Sequence, residues 1–387
     1  MTAAGLIIQY WNENFNIGIV IAIFWVVFTA ANYLPVRWFG ELEMWLSMLK
    51  VITIVGFMIF AMCMAGGAGD EGPLGFKYWH DPGPFNSYMV EGAVGKFVGC
   101  WAVLIQASFA YQGAELVGVG AGEAADPRKT VPRAIRTTYW SIMFMFVASI
   151  FLIGMVVPSN DPGLLTEASN ASASPLVIAA TRAGVKVLPH IINGVLLTAV
   201  LSAANSNVYS GSRILLALAE EGQAPKIFLT VDKRGTPTVS VAATAAFGLL
   251  GFLNLSSGGA KVFNWLLNIS GVAGLITWAS TCVAFLGFMR AMKSQGMSRD
   301  ELPYKSPLQP FVAYYGLFFN VLIALTQGFT VFIDWSTAGF FAAYISLILF
   351  VVLYVVHKAV CRDRLVDPRE ADLVKGRLSA AESEGTA

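Results

Sequence analysis

The sequence predicts an all-α protein that crosses a membrane many times, and three observations carry that prediction. Of 387 residues, 56% are hydrophobic and only 13% are charged, with a mean hydropathy of +0.64; soluble domains carry about a quarter charged residues. The apolar residues gather in nine runs, at 16–35, 42–66, 96–120, 137–158, 188–217, 237–255, 262–289, 312–332 and 338–360. These runs are close to the ~20 residues that a membrane helix needs. One of them holds a Gln-Gly pair and a carboxylate, Glu115, at membrane depth. Such groups are costly there unless they face protein or a water-filled site.

The first run joins the second through Val36–Glu41, a connection so short that the two helices must be antiparallel neighbours. Lys50 lies in the second run, about two and a half turns beyond Glu41, where its stem lets the ammonium snorkel toward the interface. The third run is apolar from Phe97 to Ala107, loosens at Gln112-Gly113 and then carries Glu115. Glu115 is placed either to relay protons or to pin this helix. A discontinuous helix of this kind exposes backbone dipoles to a substrate near the midplane of a transporter.

The Gly118-Val-Gly120-Ala-Gly122 series imitates part of a nucleotide loop, but it follows no strand, so it is predicted to serve close helix packing. Asp126-Pro127-Arg128-Lys129 and Val131-Pro132-Arg133 then read as a proline-punctuated basic loop ahead of the fourth run. The fifth run is the least regular, since Asn193, Asn205 and Asn207 interrupt it. The last four are continuous. Residues 1–360 form the transmembrane domain. The polar segment 361–387, ending SAAESEGTA, reads as a disordered cytoplasmic tail.

The connections sort by charge. One alternate set holds Arg37; Arg128, Lys129, Arg133 and Arg136; Arg213, Lys226, Lys233 and Arg234; Arg290, Lys293, Arg299 and Lys305; and the basic residues of the tail. The opposite set holds Lys77, Lys96, Arg182, Lys186 and Lys261. Positive residues stay cytoplasmic, which predicts an internal C-terminus and, with nine spans, an external Met1. Asn170-Ala171-Ser172 is then a glycosylation sequon on the external side.

A net charge of +1 provides no basic face for nucleic acid. Cys63, Cys100, Cys282 and Cys361 have no paired or metal-like spacing, and His80, His190 and His357 are scattered. No metal site and no cofactor is predicted. Nothing in the sequence specifies an oligomeric state.

Several ordered motifs carry a family resemblance. Tyr111-Gln-Gly-Ala-Glu-Leu116, continuing through Glu123-Ala-Ala-Asp-Pro-Arg-Lys129 and Val131-Pro-Arg-Ala-Ile135, resembles the sixth span and following loop of the fungal amino-acid permeases. These belong to the amino acid–polyamine–organocation superfamily. Gly40-Glu-Leu-Glu-Met-Trp45 with Lys50-Val51 resembles the family's fifth span. Ser202–Arg213 with Glu221–Lys226 resembles its eighth, and Phe263–Gly274 its tenth.

The resemblance implies a five-plus-five inverted repeat with two extra helices, and it implies that this sequence starts after the third of twelve spans. It therefore implies a truncated chain without the Gly-rich first helix that holds the substrate carboxylate, one that by itself is expected not to transport. The implied function is uptake of amino acids across the plasma membrane by proton symport and alternating access, with no enzymatic chemistry. The implied substrate site comprises Phe109, Ala110, Tyr111 and Gly113, with Ser270 influencing side-chain selectivity. Lys50 and Glu115 are the implied proton-coupling or gating residues. Asn205, Ser206 and Asn207 are implied to face the bundle. Two other readings stay open at this point: a helix bundle that does not transport, and a sensor that binds an amino acid without moving it.

Overall fold

A computed structural model describes residues 1–12, 14–69, 71–120, 126–165, 174–255, 259–302, 304–362 and 366–373. Asn170 and the tail beyond residue 373 lie outside them. Among the described residues there are helices and turns and no strands. The helices in chain order are α1 (Thr2–Ile8), α2 (Ile17–Asn32), α3 (Val36–Ala65), α4 (Lys77–His80), α5 (Gly92–Ala102), α6 (Leu104–Tyr111), α7 (Leu116–Val119) and α8 (Pro127–Val156). They continue with α9 (Pro162–Leu165), α10 (Pro175–Arg182), α11 (Leu188–Glu220), α12 (Thr238–Phe247), α13 (Gly259–Ser294), α14 (Phe311–Thr326) and α15 (Thr337–Cys361).

Among the described residues, seven stretches are largely helical, long and apolar enough to cross a membrane: 36–65, 92–119, 129–156, 188–220, 264–294, 311–332 and 337–361. The first and sixth predicted runs appear as shorter apolar helices, Ile17–Asn32 and Thr238–Leu253. The latter is α12 continued by a 3-10 segment, Gly248–Leu255, whose rise of about 2 Å per residue exceeds the 1.5 Å of an α-helix and extends its reach. Large apolar side chains stand exposed on these helices, among them Trp45 and Ile52 on α3, Phe144 and Val147 on α8 and Leu353 on α15. Water would penalise such surface, whereas hydrocarbon accepts it.

Two corrections concern the polypeptide around α8. Residues 126–136 form no loop: helix α8 starts at Pro127, with Pro132 inside it. Asp126 is the N-cap, its Oδ1 accepting the Lys129 N–H at 3.3 Å, and a proline in the first turn needs no N–H. Nor do Gly118 and Gly120 serve close packing. A Cβ at either would meet no atom within 4 Å.

The chain divides into two compact units. The first comprises residues 1–100 and 113–264. Here α11 is the central helix, packed by α1, α2, α3, α10 and α12, while α3 also packs on α8. The core between α3, α8 and α10 is built by Phe57, Ala61, Met64, Leu152, Val156, Ile178 and Ala179. The Trp25 indole donates to Ala245 O at 2.7 Å and ties α2 to α12.

At the end predicted to be external, Arg182 donates to Asp161 at 2.7 Å, to Glu71 at 2.8 Å and to the Tyr78 hydroxyl at 2.9 Å. Burial, reinforced by the hydrogen bond to Glu71, pushes the Tyr78 phenol up. Only 10% of the Asp161 side chain is exposed, so removing its cation leaves a nearly buried charge unpaired. Arg182→Gln is expected to destabilise the first unit by about 1–3 kcal/mol, read as a lower melting temperature of the detergent-purified chain.

The second unit comprises residues 101–112 and 265–387. Ile105 of α6 packs against Val272 and Leu275 of α13 and Ala324 of α14. The Trp101 indole donates to Thr326 Oγ1 at 3.0 Å, and Ser346 of α15 donates to Ile269 O of α13 at 3.0 Å. Part of the tail is ordered against this unit: Ser294 Oγ and Gln295 Nε2, at the end of α13, donate to the carbonyls of Pro368 and Ala371.

Candidate functional site

The predicted interruption of the third span is present. The run is three helices, with the expected opening at residues 112–115 between α6 and α7 and a further turn at Val103 that the sequence did not reveal. Gly113 has φ +100°, a conformation that costs an L side chain free energy and that glycine adopts freely. At the end of α6 the Gln112 N–H turns back to Phe109 O at 3.2 Å. A helix terminus leaves its last carbonyls without intrahelical donors and carries the negative end of the macrodipole. The end of α6 can therefore attract a cation.

Phe109, Ala110 and Tyr111 all lie exposed on that last turn, with Phe109 at 41% and Tyr111 at 37%. Ser270 lies exposed on α13, in the same unit. The Gln112 carboxamide joins the two helices, donating to Ser270 O at 3.0 Å and to Gly271 O at 3.1 Å. Four of the predicted substrate-site residues are thus brought to one neighbourhood of the second unit, while Gly113 begins the next stretch of the first. Within the opening, Glu115 Oε2 accepts the Gly113 N–H at 3.1 Å and holds the turn.

Lys50 heads a separate polar chain within the first unit. Its Nζ donates to Ser202 Oγ at 2.6 Å, and Ser202 in turn donates to Glu43. The other Glu43 oxygen accepts from Asn205 Nδ2 at 3.1 Å, and Asn205 Oδ1 accepts from Asn32 Nδ2 at 2.9 Å. Lys50, Ser202 and Glu43 therefore link an ammonium to a carboxylate between α3 and α11, and Asn205 carries the chain on to Asn32 of α2. Ser202 and Asn205 are each 1% exposed, so the link is shielded from solvent and its bonds are costly to break. Lys50 also borders an apolar cavity of about 470 Å³ between α3, α8, α10 and α11, lined by residues such as Phe57, Phe146 and Leu196.

Sequence reasoning missed Glu43, Asn32 and Gln112 as working residues. Glu43 stood in a quoted motif without a role of its own, Asn32 was not singled out, and Gln112 marked only where the third run loosens. Asn205 is placed inward as expected. Ser206 is half-buried, and Asn207 is exposed rather than facing the bundle, because it lies two residues, or about 200°, further round α11.

The sequence matches the profile described as "Amino acid permease" over residues 1–367. It is 44% identical over 357 residues to the lysine-specific permease of Saccharomyces cerevisiae, covering 92% of this chain and 58% of that protein. It is 45% identical over 358 residues to the basic amino-acid permease of the same yeast, covering 92% of this chain and 62% of the relative. Against the proline-specific permease of Emericella nidulans the identity is 41% over 386 residues, with 97% of this chain and 70% of that protein covered. The chain spans about three fifths of the length of the two yeast relatives.

Proposed function

The chain belongs to the amino acid permease family, and we propose that it acts in moving amino acids across the plasma membrane by alternating access, driven by protons. The single observation that carries this reading is the opened helix between α6 and α7, with Gly113 at φ +100° and Ser270 beside its end. Relatives of similar identity are named for lysine, for proline and for dicarboxylic amino acids. The features common to those substrates are the ammonium and the carboxylate on one carbon. The end of α6 fits the ammonium: the carbonyls of its last turn and the helix dipole attract a cation. Phe109 and Tyr111 flank that position and close over it, and Ser270 meets the variable side chain.

Coupling to protons is assigned to Lys50. Its ammonium connects α3 to α11 through Ser202, and loss of its proton removes the charge and one of three N–H donors, which loosens that connection. Glu115 holds the turn next to Gly113 and sets the geometry of the opening. The basic residues gathered in alternate connections support a cytoplasmic C-terminus.

The test is accumulation of labelled amino acids, with and without a proton gradient, by permease-deficient yeast at matched surface levels. Two proteins are compared: the 387-residue chain, and a chimera in which the rest of the lysine-specific permease supplies the length this chain does not cover. Gradient-dependent accumulation by the chimera supports the proposal, and gradient-independent uptake removes the proton step. No uptake by either protein would sink it.

A further inference from the structure

We propose that Gln112 is the positioning residue of this site, a lock that registers the open end of α6 on α13, and that Gly274 is glycine in order to admit it. The inference rests on the reading of the α6 opening as the substrate site and adds the device that holds it in place. A carboxamide has two N–H donors. Those of Gln112 go to two consecutive carbonyls in the interior of α13, Ser270 O at 3.0 Å and Gly271 O at 3.1 Å. Carbonyls bonded within a helix keep a second lone pair, so both can accept without breaking α13.

The fit is steric as well as polar. A Cβ on Gly274 would lie 1.8 Å from Gln112 Nε2 and 2.5 Å from its Cδ. The carboxamide thus occupies the space of a missing side chain, one turn along from Ser270. About two turns back along α6, Ile105 rests on the next glycine, with its Cδ1 3.1 Å from a Cβ placed on Gly271. Small residues let helices approach this closely in a membrane. Ile105 sets the spacing of α6 on α13. Gln112 sets the register at the end that bears Phe109, Ala110 and Tyr111. Directly after it the chain turns at Gly113, so no further helical turn of α6 supports that end.

The two residues act as a unit, which gives a double-mutant cycle. Gln112→Leu keeps the side-chain bulk and deletes both donors; Gln112→Met serves in its place should the leucine variant fail to fold. Gly274→Ala evicts the carboxamide while leaving Gln112 intact. In the purified 387-residue chain, each single change is expected to raise hydrogen exchange in the last turn of α6 about tenfold, the size of one or two net hydrogen bonds. The double variant is expected to exchange no faster than either single one. In the chimera, Gln112→Leu is expected to raise the KM for amino acids about tenfold with little change in maximal rate, a split that general destabilisation does not produce.

Multiplicative exchange effects, or unchanged exchange in Gln112→Leu, would overturn the lock. An unchanged KM in a transporting Gln112→Leu protein would overturn its positioning role. Where even the unmutated chimera transports nothing, the transport reading fails, and the exchange cycle decides the lock by itself.

Discussion

Lys50→Met is expected to reduce proton-driven amino-acid accumulation by at least about tenfold while exchange of substrate across the membrane continues. Methionine keeps most of the lysine stem, so packing along α3 changes little. What disappears is the one cation in a chain that runs from Lys50 through Ser202 to Glu43, and on through Asn205 to Asn32. Glu43 then keeps its hydrogen-bond donors but loses its counter-charge. A carboxylate left without a cation among helices is costly, by up to about 3–5 kcal/mol when fully buried. Lys50 is only partly buried, so the loss should be smaller. Such a protein should hold α3 and α11 less firmly, and the ammonium proposed to link protonation to the α3–α11 contact is gone. Proton-coupled currents recorded from the variant chimera provide the check, and currents of unmutated size would remove Lys50 from the coupling step.

Gly113→Val is the second change with a large expected effect. At φ +100° a β-branched side chain is strained by about 1–3 kcal/mol, and relief requires the backbone to rotate. Rotation would redirect the Gly113 N–H, which now meets Glu115 at 3.1 Å, and would turn the end of α6 away from its present course. Uptake by the chimera, expressed as maximal rate over KM, should fall by at least about tenfold, because the strain equals one or two decades in an equilibrium. Thermal stability should fall by no more than that strain, since a Cβ at this position adds no clash, meeting nothing closer than Leu116 Cδ1 at 3.9 Å. The two readouts are expected to separate: a large loss of transport beside a small loss of stability marks a site rather than a scaffold.

Much of the architecture was legible because membrane helices announce themselves by length and hydropathy. Each of the nine apolar runs is largely helical among the described residues, and the opening at Gln112-Gly113 agrees with a carboxylate that hydrocarbon does not tolerate beside a glycine free to leave the helix. Boundaries were less legible. Pro127 and Pro132 were read as loop punctuation, yet the first sits where a helix accepts proline and Asp126 caps the helix. Partners across the fold were not legible. Gln112 and Ser270 are 158 residues apart, and no periodicity says that one caps the other's carbonyl. Glu43 and Asn205 meet across 162 residues in the same way. Each is an ordinary polar residue in its own helix and becomes a working one only through its neighbour. Of the asparagines that made the fifth run look irregular, Asn205 marks the face of a single continuous helix, α11, that meets Glu43 and Asn32.

Substrate protection of an engineered thiol at Ser270 tests the central claim most directly. Cys63, Cys100, Cys282 and Cys361 are first replaced by alanine in the chimera, and Ser270→Cys is then labelled with a small maleimide in membranes. The account predicts that amino acids slow labelling at least several-fold, with half-maximal protection near their KM, and that Gly113→Val abolishes the protection. Labelling that proceeds at one rate with or without amino acid, in a protein that still transports it, would contradict the placement of the substrate site at the open end of α6.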